Sequence, residues 1–298
     1  YYILAQDIDA TATANWNDGA GFIPLGEFTG TFDGQGHVID GLTVNRPKTD
    51  YVGLFGKTGQ YAGVMNLGIT NCSIKGKART GGLAGYVNSY SRITNCHTAG
   101  EVSGSCYVGG LAGYCIGVGD MTENQLADCF SMARVRGTAF SVGGLVGYFN
   151  HSTLSNCFSC MDVTGVDEVG GVAGSSHEGS LENCYATGAV FGNSRVGGLI
   201  GYMYSIYHLL ERVNVTACYA TGMVTGQDKA IGGLVGYISG VTVISCYATG
   251  SITGSSGVGG LVGYNNDIVK ACYATGAVTG TQYVGGLVGA SLGGRTSP

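Results

Sequence analysis

The sequence predicts an all-β, single-domain parallel β-helix, a solenoid of about nine or ten coils. Three observations lead there: a glycine-rich unit that recurs about every 27 residues, a second element locked in phase with it, and too many glycines per unit for a helix. The unit reads Val-Gly-Gly-Leu-Val-Gly-Tyr. Its glycine pairs start at Gly81, Gly109, Gly143, Gly170, Gly197, Gly232, Gly259 and Gly285, in steps of 28, 34, 27, 27, 35, 27 and 26 residues. A degenerate copy precedes them at Tyr51-Val52-Gly53-Leu54-Phe55-Gly56. The second element, Asn-Cys-Tyr-Ala-Thr-Gly, places cysteines at Cys72, Cys96, Cys129, Cys157, Cys184, Cys218, Cys246 and Cys272; from Cys96 on, each leads the next glycine pair by 13 or 14 residues. A unit this short cannot bury a core alone, so its copies must stack. Each glycine would cost a helix about 1 kcal/mol, which leaves short strands punctuated by turns. Strands without crossover helices pair in parallel when the chain coils, each coil about 4.8 Å above the last, giving a rod on the order of 45 Å long.

Composition narrows the class further. The 298 residues include 56 Gly and only 3 Pro, yet 44% are hydrophobic, which excludes disorder. Collagen is excluded because the glycines lack a period of three. A net charge of -5 with no basic stripe argues against nucleic acid as a partner. No apolar run approaches the roughly 18 residues of a membrane helix, so no membrane insertion is expected in this segment. The chain begins without a signal peptide and reads as a monomer or a segment of a larger chain. Residues 1–45 are expected to be an N-terminal cap and first coil that protect an exposed sheet end, and residues 46–298 the repeats.

Alternation along a strand assigns the faces. In Cys184-Tyr185-Ala186-Thr187-Gly188-Ala189-Val190, the residues Cys184, Ala186 and Val190 share parity and are placed inward. The rank His97, Phe130, Phe158, Tyr185, Tyr219, Tyr247, Tyr273 then points outward, and the rank from Leu83 to Leu287 is buried. Eight of the 11 cysteines are read as one interior column, and the thiols are expected to be mostly free, with Cys115, read as a loop residue, the first candidate for an exception.

The Gly-Gly-Leu-Val-Gly-Tyr element resembles the GLUG motif. The opening Phe28-Thr29-Gly30-Thr31-Phe32-Asp33-Gly34-Gln35-Gly36-His37-Val38-Ile39 resembles the segment that commonly precedes such repeats. The resemblance covers nearly the whole chain. It implies a large bacterial surface protein, as in adhesins and regions of immunoglobulin A peptidases, and hence an extracellular or cell-surface location. It supplies no catalytic residue.

The residues themselves give no catalytic constellation. His177-Glu178 lacks the second histidine of a zinc-peptidase helix, and no Gly-x-Ser-x-Gly elbow occurs. Asp162, Asp167 and Glu168 read as solvated turn acids rather than a glycosidase pair. Asp7, Asp9, Asn15, Asn17 and Asp18 carry the oxygen ligands calcium takes, but they also suit a polar cap. No cofactor is implied. Thr221, Thr249 and Thr275, with Thr225, Thr253 and Thr279, form short threonine columns that would suit ice binding if they ran further; they break at Cys160, Phe191 and Arg136.

The expected function is therefore a non-enzymatic extracellular module of a surface adhesin or exoprotein that presents or spaces a binding face. The alternative is a β-helix that binds or cleaves carbohydrate. The expected partner is a glycan or a host surface ligand. Two long steps locate the binding face: both insertions, roughly Cys115–Asp128 and Met203–Thr216, fall at the same corner, three coils apart. They should frame a notch with a floor of Phe149, Asn150, His151, Ser176, His177 and Glu178, one wall of Tyr204, Tyr207 and His208, and another of Asn124 and Gln125. His151 and Glu178 each lie eight residues after a glycine pair and should be neighbours across the stack.

Overall fold

The computed structural model describes residues 1–117, 124–206, 213–291, 293 and 295–297. The chain winds as a parallel β-solenoid with four faces to each coil. In one coil, Asp167–Gly170 forms the first face, Ala173–His177 the second and Ser180–Glu182 the third. Tyr185–Ala186 and Val190–Gly192 share the fourth, and Ser194–Gly197 returns to the first. Each face stacks on its counterparts, in sheets of 8, 10, 11 and 16 strands among the described residues. Register follows the repeat: Gly109, Gly143, Gly170, Gly197, Gly232, Gly259 and Gly285 pair in one column on the first face.

The corners need special backbone. The residue just before the cysteine column is left-handed in coil after coil: Asn66 (φ 54°), Asn95 (51°), Asp128 (56°), Asn156 (53°), Asn183 (52°), Ala217 (53°), Ser245 (54°) and Ala271 (52°). Asn and Asp tolerate this region better than other residues with a side chain, which accounts for the recurring Asn-Cys. Their amides also bond up the stack: Asn183 Nδ2 donates to Asn156 Oδ1 at 3.3 Å, and Asn95 Nδ2 to Asn66 Oδ1 at 2.9 Å. The glycine pair makes another corner for a steric reason. A Cβ on Gly198 would collide with the carbonyl oxygen of Gly233 in the next coil and lie 2.8 Å from Ala220 Cβ.

The interior is a set of columns. Leu83, Leu111, Leu145, Val172, Leu199, Leu234 and Leu261 are fully buried, as are Ala186, Ala220 and Ala248 two places after their cysteines. The outward rank forms a ladder of rings from His97 to Tyr273, with neighbouring centroids 4.7–5.1 Å apart and planes within 5°.

All eleven cysteines are free thiols, and the column is buried from Cys96 to Cys246, while Cys272 in the last coil is only partly buried; two further readings need correction. Cys72 is not in the cysteine column. His97 pairs with Gly68, so Leu67 precedes Cys96 in the stack, while Cys72 pairs with Gly100. The sequence hid this because Asn71-Cys72 copies the Asn-Cys signature five residues beyond Asn66-Leu67, which hold the corner and the column place in this coil. Cys115 is not in a loop. It belongs to the strand Ala112–Ile116, pairs between Val87 and Phe149, and is fully buried. Burial pushes the Cys72 thiol up to about 12 and raises Cys115 as well.

Residues 1–45 wind onto the rest of the stack. Tyr2–Ile3 pairs with Thr31–Asp33, Ile8–Asp9 with Val38–Asp40, and the latter with the strand from Gly68. A 3-10 turn, Thr11–Asn15, lies between the two opening strands and the rest of this segment. Regular pairing runs to Ile116 and Tyr204 and resumes at Asn124 and Asn214, so each insertion falls between those strands; residues 118–123 and 207–212 lie outside the described residues.

Candidate binding face

The second face carries the residues singled out from the sequence. Asn150, His177 and Tyr204 pair in one column on its outer surface. The His177 ring stacks on Tyr204 with centroids 5.3 Å apart and planes 7° from parallel. His151 meets His177 edge-on at 6.3 Å. His151 and Glu178 occupy equivalent left-handed corners, with φ of 44° and 54°. Their amides donate to His177 O at 3.1 Å and Tyr204 O at 3.0 Å, so they are neighbours across the stack.

Glu178 differs from the picture of an open floor. Its side chain is 1% exposed. Ser205 Oγ donates to Oε2 at 2.7 Å, the Ile206 amide donates to Oε1 at 2.6 Å, and His177 Nε2 lies 3.7 Å away. The carboxylate thus ties down the chain as it enters the second insertion and orients His177 from behind. Buried charge is tolerated there because hydrogen bonds compensate it. Three nearby buried atoms have no hydrogen-bond partner among the described residues: Asn150 Oδ1, His151 Nδ1 and Ser176 Oγ. Tyr207 and His208 lie outside the described residues. So does the Asn124 side chain, although its backbone pairs with Ser152.

One residue of this face was missed. Two positions before the His177 column runs a column of tyrosines. Tyr86 stacks on Tyr114 at 5.6 Å, Tyr114 on Tyr148 at 4.7 Å, and Tyr202 lies over Tyr237 at 5.4 Å. Between Tyr148 and Tyr202 the column holds Ser175. The absent ring leaves a hollow of about 350 Å³, lined by Tyr148, Ser175, Tyr202, Glu168 and, continuously with the first column, His177 and Tyr204. The sign was in the sequence: this coil alone among its neighbours reads Gly170-Gly171-Val172-Ala173-Gly174-Ser175, with serine in the tyrosine place. Burial raises the phenols of both Tyr148 and Tyr202, so both stay protonated over the ordinary pH range.

The acids weighed as catalytic or calcium-binding groups are engaged elsewhere. Asp162 accepts the Ala189 amide at 3.1 Å and Asp167 the Ser194 amide at 3.1 Å. Asp7 accepts the Val38 amide at 3.0 Å and contacts His37 Nδ1 at 3.0 Å, while Asp9 accepts both the amide and hydroxyl of Thr11. The amide of Val38 and then His37 hold the Asp7 carboxyl below its usual range. No group of three or more His, Cys, Asp or Glu among the described residues is arranged to hold a metal ion.

Fold and face together define a parallel β-solenoid whose coils display aromatic columns on the outside and apolar ones within. Residues 168–190, 228–253 and 254–279 match the family model of the GLUG motif, so these stretches of the chain are GLUG repeats. It is 40% identical over 113 residues to Halomucin of Haloquadratum walsbyi, a match covering 35% of this chain and 1% of that protein. It is 37% identical over 102 residues to a "Putative Gly-rich membrane protein" of Evansella cellulosilytica, covering 32% of this chain and 12% of that one. The chain therefore spans a small part of the length of both relatives. A solved structure described as a "putative immunoglobulin A1 protease" from Bacteroides ovatus superposes with a TM-score of 0.52 at 22% identity, over 96% of this chain and 77% of the other. That likeness is one of fold.

Proposed function

We propose that this chain is a non-enzymatic extracellular module of a surface protein, which holds a ligand-binding face at a fixed place on a rigid rod. The observation that carries the reading is the strip around the stacked His177–Tyr204 pair, where buried Asn150 Oδ1 and His151 Nδ1 have no partner among the described residues. A buried polar atom without a partner costs roughly 1–3 kcal/mol, which a bound ligand would recover. Loops carried on a rigid scaffold are where binding usually resides. The module reading is also supported by partial relatives named a halomucin and a membrane protein. The expected ligand is a glycan or a host surface molecule.

The test pairs a polysaccharide and host-glycoprotein array with the triple variant His151→Ala, His177→Ala, Tyr204→Ala. Binding by the parent chain should fall at least tenfold in the variant, with melting changed by no more than a few degrees. Unchanged affinity in the variant would refute this face. Release of reducing ends from any arrayed polysaccharide would refute the non-enzymatic reading.

A further inference from the structure

The missing tyrosine at Ser175 leaves a space whose size is set by the coil pitch. Tyr148 and Tyr202 are two coils apart, about 9.6 Å at a pitch of about 4.8 Å. A ring seated midway would lie about 4.8 Å from each tyrosine, the spacing at which the outward ladder stacks its own rings. The slot therefore has room for one ring, and a saturated six-membered ring would set apolar C–H groups against the two tyrosines.

The edge of the space is polar. In neighbouring coils the left-handed residue of the first face contacts the tyrosine of its own coil: Tyr107 meets Tyr114 edge-on at 5.1 Å, and the Arg195 guanidinium lies over the Tyr202 ring, 5.2 Å from its centre. In the Ser175 coil that residue is Glu168. Ser141 Oγ donates to Glu168 Oε2 at 2.6 Å, and Arg195 Nη2 approaches Oε1 at 3.3 Å. The single Ser141 proton is committed to Glu168, so Ser175 donates to Ser141 across their 2.7 Å contact. An ionised carboxylate has about four acceptor sites. Two are engaged here, which leaves Glu168 able to accept hydroxyls from a ring in the slot.

Tyrosines above and below, acceptors at the rim and room for one ring describe a site for a ring that carries hydroxyls, as a sugar does. We infer that the Ser175 gap is a subsite for one pyranosyl residue of a glycan, sandwiched between Tyr148 and Tyr202 with its hydroxyls directed to Glu168. This assigns a ligand class to the binding face proposed above and rests on that reading. The adjoining His177–Tyr204 pair, two residues further along the same strands, offers the next stacking surface for a continuing chain.

The test uses the full chain and four methyl pyranosides (glucoside, galactoside, mannoside and N-acetylglucosaminide), read by saturation-transfer NMR. At least one should receive transfer at its ring C–H protons. Ser175→Tyr restores the residue that Tyr86, Tyr114, Tyr148, Tyr202, Tyr237 and Tyr264 already place in this column. It should fold, melt no lower than the parent and abolish transfer; Glu168→Gln should weaken it at least fivefold. No transfer to any pyranoside in the parent overturns the subsite, as does transfer that survives Ser175→Tyr. If Ser175→Tyr also leaves arrayed ligands bound while the His151, His177, Tyr204 triple variant loses them, only the sugar slot fails. If neither variant changes binding, the whole face fails.

Discussion

Replacing Gly198 with alanine tests the idea that the glycine pairs exist to let coils approach. Gly198 has no left-handed φ, so the substitution adds one methyl group and nothing else to the argument. That methyl would strike the carbonyl oxygen of Gly233 in the following coil, far inside the about 3.3–3.6 Å that carbon and oxygen ordinarily keep. Both partners are backbone, so relief requires the two coils to part. The bonds that hold them at this corner are Gly198 N to Gly232 O at 3.3 Å, Leu199 N to Leu234 O at 2.8 Å and Ile200 N to Leu234 O at 3.1 Å. Three backbone bonds at about 0.5–1.5 kcal/mol net each predict a loss of about 2–4 kcal/mol. Gly286→Ala is the matched control, because a Cβ there meets nothing within 4 Å. It should be neutral or stabilise by about 0.4–1 kcal/mol through the unfolded chain. Urea unfolding followed by circular dichroism, with hydrogen exchange at the Leu199 and Ile200 amides, measures both. Repeat proteins lose stability locally, so faster exchange confined to the coils on either side of Gly198 is the expected pattern. If Gly198→Ala unfolds at the same urea concentration as Gly286→Ala, the close-approach argument is wrong.

The buried thiols should make stability alkali-sensitive. Cys72 titrates near 12 in the folded chain against an ordinary 9.0, so its contribution is intact below about pH 9 and is lost as pH rises toward 12, where the unfolded thiol ionises and the folded one resists. Melting should fall between those limits in the parent and fall less in Cys72→Ala, and Cys72 should react with a maleimide at pH 8 far more slowly than the partly exposed Cys106. At the third corner, Ala217 holds a left-handed φ of 53° where Asn183 stands one coil earlier. Ala217→Asn should raise stability by about 0.5–1 kcal/mol in urea unfolding; a loss would show that the corner asparagines are kept for another reason.

Much of the fold was legible because a stacked solenoid writes its geometry into the sequence as a period. The phase between Gly170 and Cys184 repeats between Gly197 and Cys218 with only an insertion added, and parity alone put Cys184, Ala186 and Val190 inside and Tyr185 outside. Period and parity are one-dimensional, and they failed where the structure departs from them. Cys72 was misplaced because Asn71-Cys72 repeats the Asn-Cys signature away from the corner that Asn66 holds, and only the neighbouring coil shows which residue faces which. Glu178 was placed on an open floor because its corner position was right, but corner position does not say whether a side chain turns outward; Ser205 and the Ile206 amide, 27 and 28 residues later, draw it inward. Ser175 was visible as a serine in a tyrosine rank. That it opens a slot depends on the pitch of the stack, on Tyr148 and Tyr202 standing on either side, and on Glu168 reaching its rim, all of which are set by contacts between coils rather than along the chain.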